Sequence, residues 1–363
     1  MRTIFTPLNA LLGLRVPIIQ APMAGGPSTP ELVAAVSAAG ALGSLAFAYT
    51  QPEDMRRAAA AVRARTDRPF AINLFVAPQP HPIDAEVQRP AIAAIAPWHA
   101  EFGLPAPEPV SAPYAPDFRA QLDAVAEIRP AVFNVHLGAM PEDALRAFKA
   151  AGAKLGGSAT CIAEAERLEA LGYDYVIAQG AEAGGHRGSF MRDPYDALTG
   201  TLALVRLIVR AVRIPVVASG GIMDGSGVAA ALALGAAGAQ LGTAFVPCPE
   251  SGASAVHKEA ILGAREDDTR ITEKFSGKPA RSLANRFIRE AEARQIPQLA
   301  FPAQNSLTAK LRAASAKAGK ADFVPLWAGQ AAPLARALPA AELVARLEVE
   351  TLEAIDRLAG LAR

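Results

Sequence analysis

Residues 215–245 read PVVASGGIMDGSGVAAALALGAAGAQLGTAF. A short apolar run (215–221) ends on Ser219, Gly220 and Gly221. A helical stretch of small apolar residues follows (227–234), and a second apolar run (237–245) carries Gln240, Leu241, Gly242 and Thr243 near its end. The order is strand, glycine turn, helix, strand, glycine turn, which is a βαβ unit. Its strands are continuously apolar because both faces of a parallel sheet are covered. The same pattern recurs toward the N-terminus. Apolar runs at 17–23, 41–46, 70–75, 131–138, 153–160 and 175–180 alternate with stretches at 31–39, 144–151 and 163–171 whose apolar residues recur every three or four. Eight such runs predict an α/β protein built as a TIM (β/α)8 barrel, with a doubly wound open sheet as the alternative.

Two regions break the alternation. Residues 77–117 carry ten prolines, which predicts a long irregular excursion after the third strand. Beyond residue 245 the strand pattern stops, and 251–363 reads as helices separated by prolines, an appendage beside the barrel mouth. The expected division is a barrel over 1–246 and a mainly helical unit over 247–363. With 51% apolar and 20% charged residues, the chain of 363 residues can bury a large core. A net charge of +1 supplies no drive toward nucleic acid or an anionic membrane surface. Two charge-free windows, 32–52 and 225–249, are rich in Gly and Ala and divide into helix and strand, so they are expected in a buried core and not in a bilayer. The first residues lack the apolar run and cleavage site of a signal peptide. Two cysteines exclude a disulfide scaffold, and the plain expectation is a reducing cytoplasm.

In a barrel the chemistry sits at the C-terminal ends of the strands. Those ends are Pro22-Met23, Asn73, His136, Thr160-Cys161, Gln179-Gly180, the 219–221 glycine turn and the 240–243 run. Glycine turns after the seventh and eighth strands, with a helix beginning near Asp224, form a candidate phosphate cradle; tight turns needing positive φ are the structural alternative. The loop after the sixth strand, AQGAEAGGHRGSF, flanks His186 with glycines, which suits an accessible proton-transfer group as well as a locally bonded loop histidine. His136 ends the fourth strand and is expected to face the same mouth. His81 and His99 lie in the proline-rich region and His257 in a helix. Cys161 opens a helix, where a small hydrophobe is expected over a thiolate nucleophile. No spacing matches a metal site.

The segments QAPMAGGPSTPELVAAVSAAGALGSL, FAINLF, ATCIAEAERLEALGYDYVIAQGAEAGGHRGSF and the 215–245 stretch resemble the class I nitronate monooxygenases. GKPARSLANRFI, QNSLTAKLRAA and LWAGQ extend the resemblance more weakly, so that it covers most of the chain. It implies a barrel carrying FMN under a C-terminal helical, substrate-capping domain, and oxidation of alkyl nitronates such as propionate 3-nitronate by O2 to carbonyl compound and nitrite. By motif it implies FMN contacts from Pro22, Met23, Asn73, Gln179, Gly184, Gly221, Gln240, Leu241, Gly242 and Thr243. It implies His186 as the catalytic histidine, with His136 and Tyr114 in the substrate pocket. The partners implied are a small nitronate and O2, and a homo-oligomer is compatible with the sequence. The fourth strand departs from the family, reading NVHLG where members often have SFHFG. FMN-dependent NADH:quinone and enoyl-acyl-carrier-protein reductases share the glycine motifs and are the competing reading; a flavin-binding protein without turnover is a third.

Overall fold

The computed structural model describes residues 2–76 and 82–361. His81, with the start of the proline-rich region, lies outside the described residues. Eight parallel strands form one sheet: β1 (Ile18–Gln20), β2 (Gly43–Ala46), β3 (Phe70–Phe75), β4 (Val132–His136), β5 (Lys154–Ala159), β6 (Tyr175–Gln179), β8 (Val216–Ser219) and β9 (Gly238–Leu241). A two-residue strand, β7 (Gly185–His186), belongs to a second sheet. The large sheet runs β1-β9-β8-β6-β5-β4-β3-β2, and a parallel bridge from Ile19 to Leu42 joins its two ends. The sheet therefore closes, and the open doubly wound alternative is excluded. All eight strands fall inside the eight apolar runs.

Alternate residues along each strand enter different cores, as the two-residue period requires. Val176 and Ala178 of β6 pack outward among the surrounding helices, while Tyr175 and Ile177 pack inward. In β3 the outward residues are Phe70, Ile72 and Leu74, and Ala71 points in. Leu8 and Leu12 of the first helix join the inward cluster, so that helix plugs the N-terminal end of the barrel. Gly156 makes room for the interior. An added Cβ there would lie 2.3 Å from Asn134 Oδ1 and 2.4 Å from the Tyr175 ring, two groups joined by a buried hydrogen bond that Tyr175 donates.

The excursion is not irregular throughout. Ala85–Glu101 is a 17-residue helix with Pro90 and Pro97 inside it. Each proline removes a backbone donor and costs about 3 kcal/mol or more. Burial of Ile95 and Trp98 in a second core, with Phe275, Phe287 and Phe323, is worth about 2–3 kcal/mol per side chain. Packing therefore offsets much of the cost that the sequence pattern displays.

Past residue 246 the chain is mostly helical but adds two strands, β10 (Thr269–Thr272) and β11 (Ala280–Leu283). These are antiparallel to each other, and β11 pairs with β7, joining Ala280 to His186 and Arg281 to Gly185. The helix Ala340–Ala359 returns to the barrel shell. Leu343, Val344 and Leu347 enter the outward core, and a Cβ at Gly225 would meet Glu350 Cβ at 2.3 Å.

Candidate active site

The inward top layer of the barrel is polar: Asn73, His136, Ser158, Gln179, Ser219 and Gln240 stand at strand ends around a cavity of about 320 Å3. A volume in this range suits a cofactor or small ligand. Residues from the post-barrel segment, among them Asn305, Arg312, Trp327 and Gly329, close its outer wall.

His186 is placed by backbone before its side chain does anything. It is a strand residue of β7, paired to Ala280, and Arg187 N–H donates to Pro279 O at 2.8 Å. The His186 carbonyl accepts from Gln179 Nε2 (3.0 Å) and from His136 Nε2 (3.1 Å). Because His136 donates through Nε2, its Nδ1 accepts from the Ser158 hydroxyl (2.9 Å). The other end of the Gln179 amide accepts from Gly188 N–H at 2.7 Å. Gln179 lines the cavity, and both ends of its carboxamide hold the histidine loop. A Cβ at Gly188 would lie 2.6 Å from the His136 ring, so the glycine after Arg187 is required by close packing.

The His186 imidazole sits among the rings of Phe75, Phe301 and Trp327, with centroids 5.4–5.7 Å away. Its Nε2 lies 2.9 Å from Ser276 Oγ. With the Ser276 hydroxyl donating to Lys278 O (3.2 Å), His186 Nε2–H donates to Ser276 and Nδ1 keeps its lone pair. Burial lowers the His186 pKa to about 3, with the neighbouring His136, Lys278 and Arg312 acting in the same direction. Burial likewise lowers His136 to about 4, against the bond to the His186 carbonyl. Both imidazoles are neutral at physiological pH.

Arg187 turns away from the cavity. Its guanidinium is buried and donates to the carbonyls of Gln179 (2.6 Å), Gly180 (2.8 Å) and Ala197 (3.0 Å from Nε). It locks the loop; it is not free to meet a ligand. Glu164, fully buried, does the same from below, accepting from Thr160 N–H and Oγ1–H and from the amides of Phe190 and Met191.

On the β8–β9 side, Gly220 (φ 112°) and Gly221 (φ 71°) turn the backbone along the cavity wall, and Gly242 and Thr243 stand beside them. Thr243 Oγ1 accepts from Gly329 N–H (2.9 Å), which leaves its own proton free. Gly184 allows two backbones to meet, since a Cβ there would sit 2.6 Å from Ala328 C. The helix N-terminus beyond the cradle is taken: Asp224 accepts from Gly227 N–H and Glu350 from Gly225 N–H. An anion at the cradle would thus rest on the glycine turns, not on that helix. Gln240 donates to Ser219 Oγ (3.3 Å), and its buried Oε1 has no partner among the described residues.

Pro22, Met23, Asn73, His136, Gln179, Gly184, His186, Gly221, Gln240, Gly242 and Thr243 all line this one cavity. Leu241 does not: it alternates outward into the helical core, and only its backbone is near the mouth. Tyr114 also lies elsewhere, in the second core, its hydroxyl accepting from Ile83 N–H (2.9 Å). Cys161 is outside the lining and burial raises its thiol pKa, so no thiolate nucleophile is poised there. His99 is buried against Pro105 O, whereas His257 lines the cavity and bonds Trp327 O. The sequence reading missed Tyr49, Ser276, Asn305, Arg312 and Trp327. Four of these five come from the post-barrel segment, where no strand-end rule applies. Among the described residues no cluster of His, Cys, Asp or Glu is arranged for a metal ion.

Against known proteins, a family model described as Nitronate monooxygenase matches residues 7–350. The chain is 44% identical to a nitronate monooxygenase of Paraburkholderia phytofirmans over 98% of this chain and 97% of that protein. It is 46% identical to one of Pseudomonas aeruginosa over 94% and 97%. Among solved structures, nitroalkane oxidase from Streptomyces ansochromogenes superposes with a TM-score of 0.88 at 42% identity, covering 97% of this chain and 99% of that one. FabK from Thermotoga maritima is more distant, with a TM-score of 0.77 at 30% identity over 99% and 100%.

Proposed function

From the premise that the chain belongs to the nitronate monooxygenase family, a family of flavoenzymes, we propose that it uses FMN to oxidise alkyl nitronates with O2 to a carbonyl compound and nitrite. The observation that carries this reading is the neutral, ring-enclosed imidazole of His186, held by three backbone contacts at a cavity large enough for a cofactor. The residues present suit a flavin. The unpartnered Gln240 Oε1 can accept from the N–H edge of a polar ring, and Asn73 stands across the mouth from it. The Gly220-Gly221 turn, Gly184, Gly242 and the free Thr243 hydroxyl suit one terminal phosphate. FMN, when bound, supplies the one-electron chemistry with O2 that no side chain can perform.

The chain's own residues do the rest. Neutral His186 accepts the carbon-bound proton of a nitroalkane, the Ser276 contact fixes its ring, and Phe75, Phe301 and Trp327 keep water from the reacting carbon. A nitronate arrives without that proton and needs only binding. In this reading residues 1–246 hold the cofactor and 247–363 cover the mouth, apart from the last helix, which is barrel shell. No helix among the described residues is long and apolar enough to cross a membrane, and Cys161 and Cys248 are free, which accords with a reducing, cytoplasmic setting. The test is spectroscopic. The purified protein should be yellow and release FMN, and anaerobic mixing with propyl-1-nitronate should reduce the flavin while NADH leaves it oxidised. Release of FAD or of no flavin would overturn the cofactor, and rapid bleaching by NADH would make the protein a reductase.

A further inference from the structure

Glu182 stands in the histidine loop two residues before Gly184, half-buried, and it does not line the cavity. Its carboxylate turns to the helix Thr201–Ala211 instead. Both oxygens accept from the Thr201 amide, Oε1 at 2.9 Å and Oε2 at 2.8 Å. The residue before that helix, Gly200, has no side chain to cap it. Glu182 supplies the missing cap from a different loop, at the positive end of the helix. The Thr201 hydroxyl lies between Glu182 Oε2 (2.8 Å) and the Gly220 carbonyl (2.9 Å), close enough to donate to either. A Cβ at Gly180 would lie 1.9 Å from that hydroxyl and 2.6 Å from Glu182 Oε2, so the arrangement requires the glycine that follows β6.

Three sides of the glycine cradle meet at this residue. Glu182 Cβ lies under the turn, 3.3 Å from where a Cβ on Gly221 would stand, and Thr201 holds the carbonyl of Gly220. On the outer wall, Glu182 O accepts from Gln330 N–H (3.0 Å), and a Cβ at Gly329 would be 2.7 Å from that carbonyl. Gly329 N–H in turn donates to Thr243 Oγ1. Turn, outer wall and threonine hydroxyl therefore keep their spacing through one side chain and its backbone. The negative charge is answered on the protein side. The buried guanidiniums of Arg187 and Arg281 lie within electrostatic reach of Glu182, which favours the charged form of each. The glycine face of the turn is left for an anion of the ligand.

We infer that Glu182 is a positioning residue for the flavin phosphate: its carboxylate, through Thr201, sets the Gly220-Gly221 turn at the spacing the phosphate needs, without touching it. The inference rests on the FMN-dependent reading of the cavity. A cradle made of main chain has no side chain of its own to fix its width, so the groups behind it decide how well it is preorganised. The polar groups suited to the ring of the flavin, Gln240 and Asn73, stand on other strands, β9 and β3. Loss of the Glu182 carboxylate should therefore fall on FMN and spare riboflavin, which has the same ring and no phosphate.

The experiment equilibrates the holoenzyme with mixtures of FMN and riboflavin, then identifies the flavin that stays bound through gel filtration. Wild type should prefer FMN. Glu182→Ala should cut that preference by about tenfold or more, as expected when hydrogen bonds to a charged group are lost, with riboflavin bound as in wild type. Glu182→Gln keeps an acceptor for Thr201 and should recover part of the preference. The phosphorus NMR resonance of bound FMN should move in Glu182→Ala while the visible spectrum of the ring does not. Thr201→Val removes the hydroxyl between Glu182 and Gly220; it should cut the preference less, and it decides the matter if the Glu182 variants do not fold. Equal losses of FMN and riboflavin would make Glu182 a general support of the fold and overturn the positioning role. Wild type that binds neither flavin would overturn the functional reading. Wild type that prefers FMN, with variants that prefer it equally, would overturn this inference alone.

Discussion

His186 is neutral because its ring is taken out of water among three aromatic rings and beside a second imidazole. In the proposed reaction that favours one of two duties. A protonated imidazole would attract a nitronate, but burial disfavours that form at working pH. Proton abstraction remains. His186→Asn should therefore cost about 10²–10⁴-fold in kcat/KM with a neutral nitroalkane and much less with the matching nitronate, provided the flavin spectrum is unchanged. The pH profile carries the same signature. With the pKa lowered to about 3, the acid limb of kcat/KM for a nitroalkane lies near pH 3, so the rate should hold steady between pH 7.5 and pH 5. A midpoint near 6.5 would show a solvated histidine, and equal losses on both substrates would give His186 a positioning role. His186 and His136 were visible in the sequence because each sits at or just after a strand end in a barrel. Ser276 and Arg312 were not, since a serine and an arginine in helical, charge-rich sequence look like any others until the fold brings them to the mouth. Leu241 was misplaced for a reason that was available: along a strand of period two it must face opposite to Gln240.

At the scale of elements, the histidine loop is a short strand pinned from several sides. Arg187 ties it to three carbonyls, Gln179 ties both flanks of Arg187, and Glu164 gathers four donors from Thr160, Phe190 and Met191. Glu164 touches no ligand, yet its removal leaves four enclosed donors unmet. Glu164→Ala should lower stability by about 3 kcal/mol or more, and should depress kcat with nitroalkanes while Glu164→Gln recovers part of both. Unfolding in urea and steady-state rates on the same preparations measure the two effects; wild-type behaviour in both would remove Glu164 from the support of the loop. The barrel strands were legible because each is a continuous apolar run bounded by glycine or a polar end. The strands β10 and β11 were not, since TRIT and ARSL are four residues long and each carries an arginine, and the second partner of β11, the two-residue β7, comes from distant chain. The helix Ala85–Glu101 was hidden by Pro90 and Pro97, whose local cost is offset by burial of Ile95 and Trp98 in a core assembled from residues nearly two hundred positions away.

The whole molecule registers its buried histidines as acid sensitivity. Burial lowers His136 and His257 to about 4 and His186 to about 3, from 6.5 in the unfolded chain. Between those values the unfolded state binds more protons than the folded one, so stability is full above pH 6.5 and falls as pH drops toward 4. Each histidine contributes up to about 1.4 kcal/mol per pH unit in that window. The Tm should hold from pH 8 to 7 and decline progressively from 6.5 to 4.5; a constant Tm would mean that the rings protonate freely in the folded state. One arrangement binds the two halves of the chain more closely than a lid binds a vessel. Among the described residues, the one backbone ladder between the histidine loop and the segment after the barrel is β7 against β11, and it includes His186 itself. His186 is thus held from both sides at once: its carbonyl by His136 and Gln179 of the barrel, its strand by the segment after it. A change in either wall of the cavity is felt at the same imidazole.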